Sequence, residues 1–307
     1  MKISRGLPTL PLPPWPVLTI GNFDGQHRGH HFLLSSVVRL ASDRKGTPMV
    51  LTFDPHPIQV LRPGANLQFL SPPSEKFLWF EKMGISHVVV LEFTPAFAEL
   101  RPQEFVCQIL RDGLGVRDLL VGNRFVFGID RSGNIDTLRQ LAPNAGFQVH
   151  SVDPVVTGNA VISSTRIRRL VQGGGMEEAR ECLGRPYSLT GVVVEGAQRG
   201  KVLGYRTANL QLPAGRVVPP DGVYVTKVIW QGSVLDSVSY IGTRPTFDEG
   251  ERLLEVHLLD QDCLLYGEEI TVQFLTRLRG DQTFQTADEL SARIALDVSL
   301  AKELLSQ

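Results

Sequence analysis

Residues 17–31 read VLTIGNFDGQHRGHH, and the order of the parts in this stretch decides the fold of the first half. VLTI is a short continuous apolar run, the pattern of a strand buried on both faces. GNFDG follows as a glycine-rich turn, and residues 32–40 then place apolar side chains at helical spacing. A strand, a glycine turn and a helix in this order open a parallel α/β unit.

The pattern repeats outward from there. Residues 48–53 (PMVLTF), 87–91 (HVVVL), 118–121 (DLLV) and 147–152 read as further strands, with helices over 75–83 and 102–111. After about residue 184 the pattern changes. Short strands are expected at 188–195, 222–230, 234–241, 253–260 and 269–275, with turns rich in Gly, Pro and Asp between them, which suggests an antiparallel barrel or sandwich. Residues 287–305 close the chain as one helix. Two domains are expected, 1–184 and 185–307.

Composition narrows the class. The 307 residues are 42% apolar and 21% charged, ordinary for a globular chain and too apolar for wholesale disorder. A net charge of −1 lacks the basic footprint of a nucleic-acid binder. No apolar run is long enough to span a membrane, and prolines interrupt the N-terminal stretch MKISRGLPTLPLPPWP where a signal peptide needs continuous apolar sequence. Cys107, Cys182 and Cys263 match neither a zinc pattern nor a disulfide framework, so a cytoplasmic setting is expected.

Four stretches carry chemistry. A glycine turn entering a helix lets backbone N–H groups approach a phosphate. Within it His27 and His30 are three apart and face one way, so two imidazoles can donate to an α-phosphate as charge builds. A plain surface loop and a two-histidine metal site are the other readings. Residues 162–168 (ISSTRIR) offer hydroxyls and guanidiniums for a polyphosphate, or simply a capped helix with a basic face. In GVVVEGAQRGKVLGYRTAN (191–209), Gly191, Gly196, Gly200 and Gly204 suggest a loop around nucleotide phosphates, and Thr207 and Asn209 supply hard oxygens suited to Mg²⁺. Glu255, in LLEVHLLD, is a candidate base in a barrel mouth, or a solvent-facing residue of an amphipathic strand.

Taken in order with TFDPHP (52–57), GRPY (184–187), GVY (222–224), IGTRPTF (241–247) and LYG (265–267), these motifs resemble the prokaryotic bifunctional riboflavin kinase/FMN adenylyltransferase family, the FAD synthetases. The resemblance covers nearly the whole chain. It implies an α/β fold: a Rossmann-like nucleotidylyltransferase domain, then a six-stranded antiparallel barrel carrying riboflavin kinase activity and a C-terminal helix. It implies ATP as co-substrate, Mg²⁺ as cofactor, and riboflavin, FMN and FAD as substrates and products.

By the same resemblance His27 and His30 stabilise adenylyl transfer. Gly21, Asn22, Phe23, Asp24, Ser164, Thr165 and Arg168 hold ATP, while Asn123, Arg124 and Phe127 lie at the flavin. In the kinase, Gly191, Gly196, Gly200, Gly204 and Thr207 hold ATP, Thr207 and Asn209 hold the metal, and Glu255 is the base. Three positions depart from the family pattern: Arg206 stands for Pro, Tyr240 for Asn, and Arg124 for Asp or Asn. They leave open an enzyme with only the adenylyltransferase, or a flavin-binding regulator without catalysis.

Overall fold

A computed structural model describes residues 1–195, 205–243, 252–261 and 265–306. The chain divides into two compact units, Met1–Ser164 and Thr165–Gln307.

The first unit is built on a six-stranded sheet. Its strands are β1 (Lys2–Arg5), β2 (Pro16–Ile20), β3 (Thr47–Phe53), β4 (His87–Leu91), β5 (Asp118–Gly122) and β6 (Gln148–Val152), in the order β1-β4-β3-β2-β5-β6. Every neighbouring pair is parallel. Successive residues of a strand point to opposite faces, and here both faces are apolar cores. Leu18, Met49, Leu51, Val89 and Leu119 pack on one side with Phe105, Leu110 and Leu138. Val17, Val50, Val88 and Leu120 pack on the other with Leu34, Val37 and Phe80. Burial on both faces is why these strands read as continuous apolar runs.

The connecting helices are α1 (Arg28–Asp43), α2 (Pro57–Leu61), α3 (Pro73–Lys82), α4 (Pro95–Ala98), α5 (Pro102–Glu104) and α6 (Ile135–Ala145). The helix expected over 102–111 is α5 running into a wider π-helical stretch, Phe105–Gly113. Of the six sheet strands, β1 is the one that sequence patterning missed. KISR has no apolar run, and as an exposed edge strand it needs none. The helix α6 and the short strands Val156–Thr157, Ala160–Val161 and Ala208–Gln211 were not expected either. A two-stranded hairpin, β7 (Val156–Thr157) and β8 (Ala160–Val161), leads to α7 (Ser164–Gly173) and α8 (Met176–Leu183).

The second unit is a closed antiparallel barrel. Its strands are β9 (Tyr187–Val194), β10 (Ala208–Gln211), β11 (Gly222–Trp230), β12 (Ser233–Thr243), β13 (Arg252–Leu258) and β14 (Glu269–Gly280), in the order β10-β13-β12-β11-β14-β9. β9 pairs with β10 and closes the ring. The interior holds Leu254, Val256, Ile270, Val272 and Phe274, with a buried hydroxyl cluster in which Thr226 bonds Ser237 and Ser239 at 2.8 and 2.7 Å.

The last helix, α9 (Ala287–Leu305), covers part of the outer wall, where Ala301 and Val298 meet Val223, Val225 and Val238. Asp297, only 4% exposed, is satisfied by Arg279 at 2.8 Å and Arg293 at 3.2 Å. Pairing of this kind is what permits a buried carboxylate.

Candidate active sites

The first site grows from the turn between β2 and α1. Gly21 N–H donates to the Leu51 carbonyl at 3.0 Å, which fixes the start of the turn against β3. Phe23 takes a left-handed φ of 54°, strained for an aromatic residue and typical of a functional turn. Asp24 is buried, and its carboxylate accepts the backbone N–H groups of Leu70 (3.0 and 3.1 Å) and Ser71 (3.2 Å). The Asp24 side chain thus braces the turn against the segment entering α3. The Ser164 hydroxyl donates to the Asp24 carbonyl at 2.9 Å, so the start of ISSTRIR meets the glycine turn. Thr165 is exposed on the first turn of α7, and Arg168 is half-buried one turn on.

His27 caps α1: its Nδ1 accepts the His30 N–H at 3.2 Å. An Nδ1 that accepts carries no proton, so the neutral ring keeps its proton on Nε2 as a donor. The His27 and His30 rings stack at 3.6 Å and 17°. Burial, then His27 and His31, hold the His30 pKa well below the usual imidazole value. His30 is therefore a neutral hydrogen-bonding ring at pH 7.

Buried with no hydrogen-bond partner among the described residues are His30 Nδ1 and Asn22 Oδ1. Buried polar atoms of this kind take a partner from outside the chain, a water or a ligand. Asn123 and Arg124 are exposed just after β5, whereas Phe127 is 8% exposed and packs on Phe105 and Phe125. Phe127 is thus largely a core ring, and Phe125, half-buried and stacked on it at 5.6 Å, has the more open face.

Sequence reasoning missed Lys76. Its ammonium, on α3, reaches the Thr52 hydroxyl at the carboxyl end of β3 at 3.2 Å. The signal available was its position four residues before the buried Phe80.

The second site lies on the barrel wall. Asn209 on β10 stands directly opposite Glu255 on β13, and Glu255 stands opposite Tyr240 on β12. Directly paired residues share one face of a sheet, so the three form a row. That face is the outer one. Leu254, Val256 and Leu258 are buried inward, while Glu255 alternates with them and is half-buried. Of the two readings of Glu255, the structure thus agrees with the outward-facing residue of an amphipathic strand and not with a place inside the barrel.

Thr207 is half-buried just before β10, and Asn209 is 4% exposed. Gly191 is a strand residue of β9 rather than part of a loop. A Cβ there would stand 3.2 Å from the Gln211 carbonyl. Gly196, Gly200 and Gly204 lie outside the described residues, as does Cys263.

The two departures here have structural answers. His257 Nδ1 donates to the Arg206 carbonyl at 2.8 Å, and the Tyr205 ring meets His257 edge-on at 5.4 Å. This anchor uses a carbonyl, which proline also has, and the Arg206 side chain is exposed. The Tyr240 hydroxyl donates to Asp281 at 2.9 Å. Burial, then the Asp281 carboxylate, push the phenol pKa far above its ordinary value. The ring lies over Gly242, where a Cβ would collide with the hydroxyl.

The donor set of Thr207 and Asn209, neutral hard oxygens beside the Glu255 carboxylate, fits Mg²⁺ shared with phosphate oxygens. Among the described residues no cluster of three or more His, Cys, Asp or Glu could hold a metal by itself.

Residues 13–166 match the FAD synthetase family model, and residues 183–305 match the riboflavin kinase model. The chain belongs to the bifunctional riboflavin kinase/FMN adenylyltransferase family. Proteins of that name from Escherichia coli K12 and Pseudomonas fluorescens are each 37% identical over 306 residues, covering 99% of this chain and 97% and 98% of theirs. The Bacillus subtilis protein of that name is 34% identical over 286 residues, covering 92% of this chain and 90% of its own.

A crystal structure described as a macrolide-efflux protein from Streptococcus pneumoniae is 29% identical and superposes with a TM-score of 0.88, covering 98% of this chain and 99% of that one. Among the described residues no helix is long and apolar enough to cross a membrane.

Proposed function

We infer that this chain makes FAD from riboflavin in two ATP-dependent steps. The barrel unit moves the ATP γ-phosphoryl group to the riboflavin 5′-hydroxyl and forms FMN. The α/β unit joins FMN to the ATP α-phosphorus and releases pyrophosphate. We assign residues 1–184 to the adenylyltransferase and 185–307 to the kinase, working in the cytoplasm. The observation that carries this reading is the stacked His27–His30 pair on the β2–α1 turn, with His30 held neutral, in a chain whose second unit holds a closed six-stranded barrel.

Both steps are in-line displacements at phosphorus, so positioning and charge neutralisation do the catalysis. In adenylyl transfer an oxygen of the FMN phosphate bonds to the α-phosphorus as the bond to the β-phosphate oxygen breaks. His27 and His30 donate to the α-phosphate as it crowds with charge. Ser164, Thr165 and Arg168 hold the nucleotide phosphates.

In the kinase, Glu255 takes the proton of the riboflavin 5′-hydroxyl as that oxygen attacks. Thr207 and Asn209 would hold Mg²⁺, which when bound would neutralise charge on the ATP phosphates. A small-molecule pathway of this kind needs neither nucleic acid nor a membrane as partner.

The test is a chromatographic time course from riboflavin, ATP and Mg²⁺ beside a reaction started from FMN. FMN followed by FAD in the first reaction supports both activities. FAD from FMN alone would confine activity to the α/β unit, and no product in either would refute the reading.

A further inference from the structure

The helix α3 is packed directly on the adenylyl-transfer turn. Phe80 is fully buried and meets the Phe23 ring edge-on at 5.2 Å, and Phe23 meets His30 at 5.1 Å. Lys76 stands four residues before Phe80. Side chains at that spacing lie on the same helix face, so Lys76 shares the face that Phe80 presses against the turn.

Its ammonium donates to the Thr52 hydroxyl at 3.2 Å. Thr52 is fully buried and follows Leu51, whose carbonyl holds the first N–H of the turn. The lysine head is therefore at the carboxyl ends of adjacent parallel strands, where an α/β sheet collects its ligands.

An ammonium has three donors. Thr52 takes one, and the face of Phe77 lies 5.8 Å away. The nearby Asp24 carboxylate accepts the Leu70 and Ser71 N–H groups. A half-buried cation with spare donors has thus been placed beside a turn that holds two orphaned polar atoms, His30 Nδ1 and Asn22 Oδ1. Burial lowers the Lys76 pKa, and Asp54 and Asp24 partly restore it.

We propose that Lys76 binds the attacking phosphate of FMN during adenylyl transfer, a step that rests on reading the first unit as the adenylyltransferase. The reaction must bring one phosphate anion against the α-phosphate of another. The two histidines supply donors to that encounter without charge: His30 is held neutral, and His27 Nδ1 is occupied as the helix cap. The Ser164 hydroxyl is directed to the Asp24 carbonyl. Lys76 supplies a positive charge at the turn. It transfers no proton: the phosphate oxygen bonds to the α-phosphorus, pyrophosphate leaves, and the ammonium remains an ammonium. Thr52 acts as a positioning residue that aims the ammonium.

The experiment uses the full chain with Lys76→Met and Lys76→Arg. FAD formation is followed while FMN and ATP are varied separately; an unchanged KM for ATP reports that the α/β unit is folded, and riboflavin phosphorylation reports on the barrel. Lys76→Met is expected to raise KM for FMN about tenfold to a hundredfold, the range for losing a hydrogen bond to a charged group. KM for ATP should stay within about twofold of wild type on the same argument. Lys76→Arg should restore most of the FMN affinity.

An unchanged KM for FMN in Lys76→Met would overturn the proposal. So would a raised KM for ATP with that for FMN unmoved, which would put the lysine on the nucleotide. Should Lys76→Met lose the kinase as well, Lys76→Gln, which keeps a donor for Thr52, carries the same test. Failure of the wild type to make FAD from FMN would instead refute the adenylyltransferase reading itself.

Discussion

Gly29→Ala separates helix stability from catalysis at the histidine pair. Gly29 is the second residue of α1, where alanine is the better helix former by about 1 kcal/mol. A Cβ there would stand 3.2 Å from both Cε1 and Nδ1 of His27, closer than ordinary van der Waals contact. The backbone is helical and cannot yield, so the ring must move by a few tenths of an ångström. That ring stacks on His30 at 3.6 Å and caps the helix through the His30 N–H at 3.2 Å.

Losing the cap costs about 1 kcal/mol, which offsets the gain from alanine. Net stability is expected to stay within about 1 kcal/mol of wild type on these two terms. Catalysis has no such offset. A misplacement of 1 Å can cost about a hundredfold in rate, so a few tenths should cost roughly threefold to tenfold. The assay is FAD formed from saturating FMN and ATP, with riboflavin phosphorylation and urea unfolding as controls. A variant with unchanged kcat for FAD formation would refute the argument that this glycine exists to let the two rings approach.

Three further outcomes are expected. His30→Ala should lower FAD formation by at least about a hundredfold, the scale for losing a transition-state donor, with riboflavin phosphorylation nearly intact. Asn209→Ala should abolish FMN formation while FAD formation from supplied FMN continues; an unchanged kinase rate would remove Asn209 from the metal site. The third concerns stability against pH. Burial is the first cause lowering the pKa of both His30 and His87, so the unfolded chain binds more protons than the folded one between the folded values and about 6.5. The stabilising contribution is complete above that pH and declines as pH falls through the window. Urea midpoints from pH 8 to 5 should drop at the acid end, and less so in His30→Asn.

Much of the fold could be read from one-dimensional pattern. Four of the six sheet strands, β2 to β5, announce themselves as apolar runs because burial on both faces demands it, while a fifth, β6, is a partly exposed edge strand in which apolar and polar residues mix. The sixth, β1, is polar and exposed at an edge, so no such demand acts on it. In the barrel, β10 is only four residues long and leaves little alternation to detect. The site motifs were legible where chemistry needs neighbours in sequence, as in the His27–Gly29–His30 step at the head of a helix.

Contacts across the chain were another matter. Asp24 as a brace for Leu70 and Ser71, Ser164 on the Asp24 carbonyl, and Lys76 on Thr52 join residues far apart in sequence. The sequence by itself determined the two architectures, the family and the residue types its chemistry uses, because periodicity and short motifs are local properties. Only the tertiary structure decided that Glu255 faces outward in a row with Asn209 and Tyr240, since strand register sets which face a residue joins. It also decided that Phe127 belongs to the core and that Lys76 reaches Thr52 at the end of β3, because burial and ion placement arise only when distant segments pack.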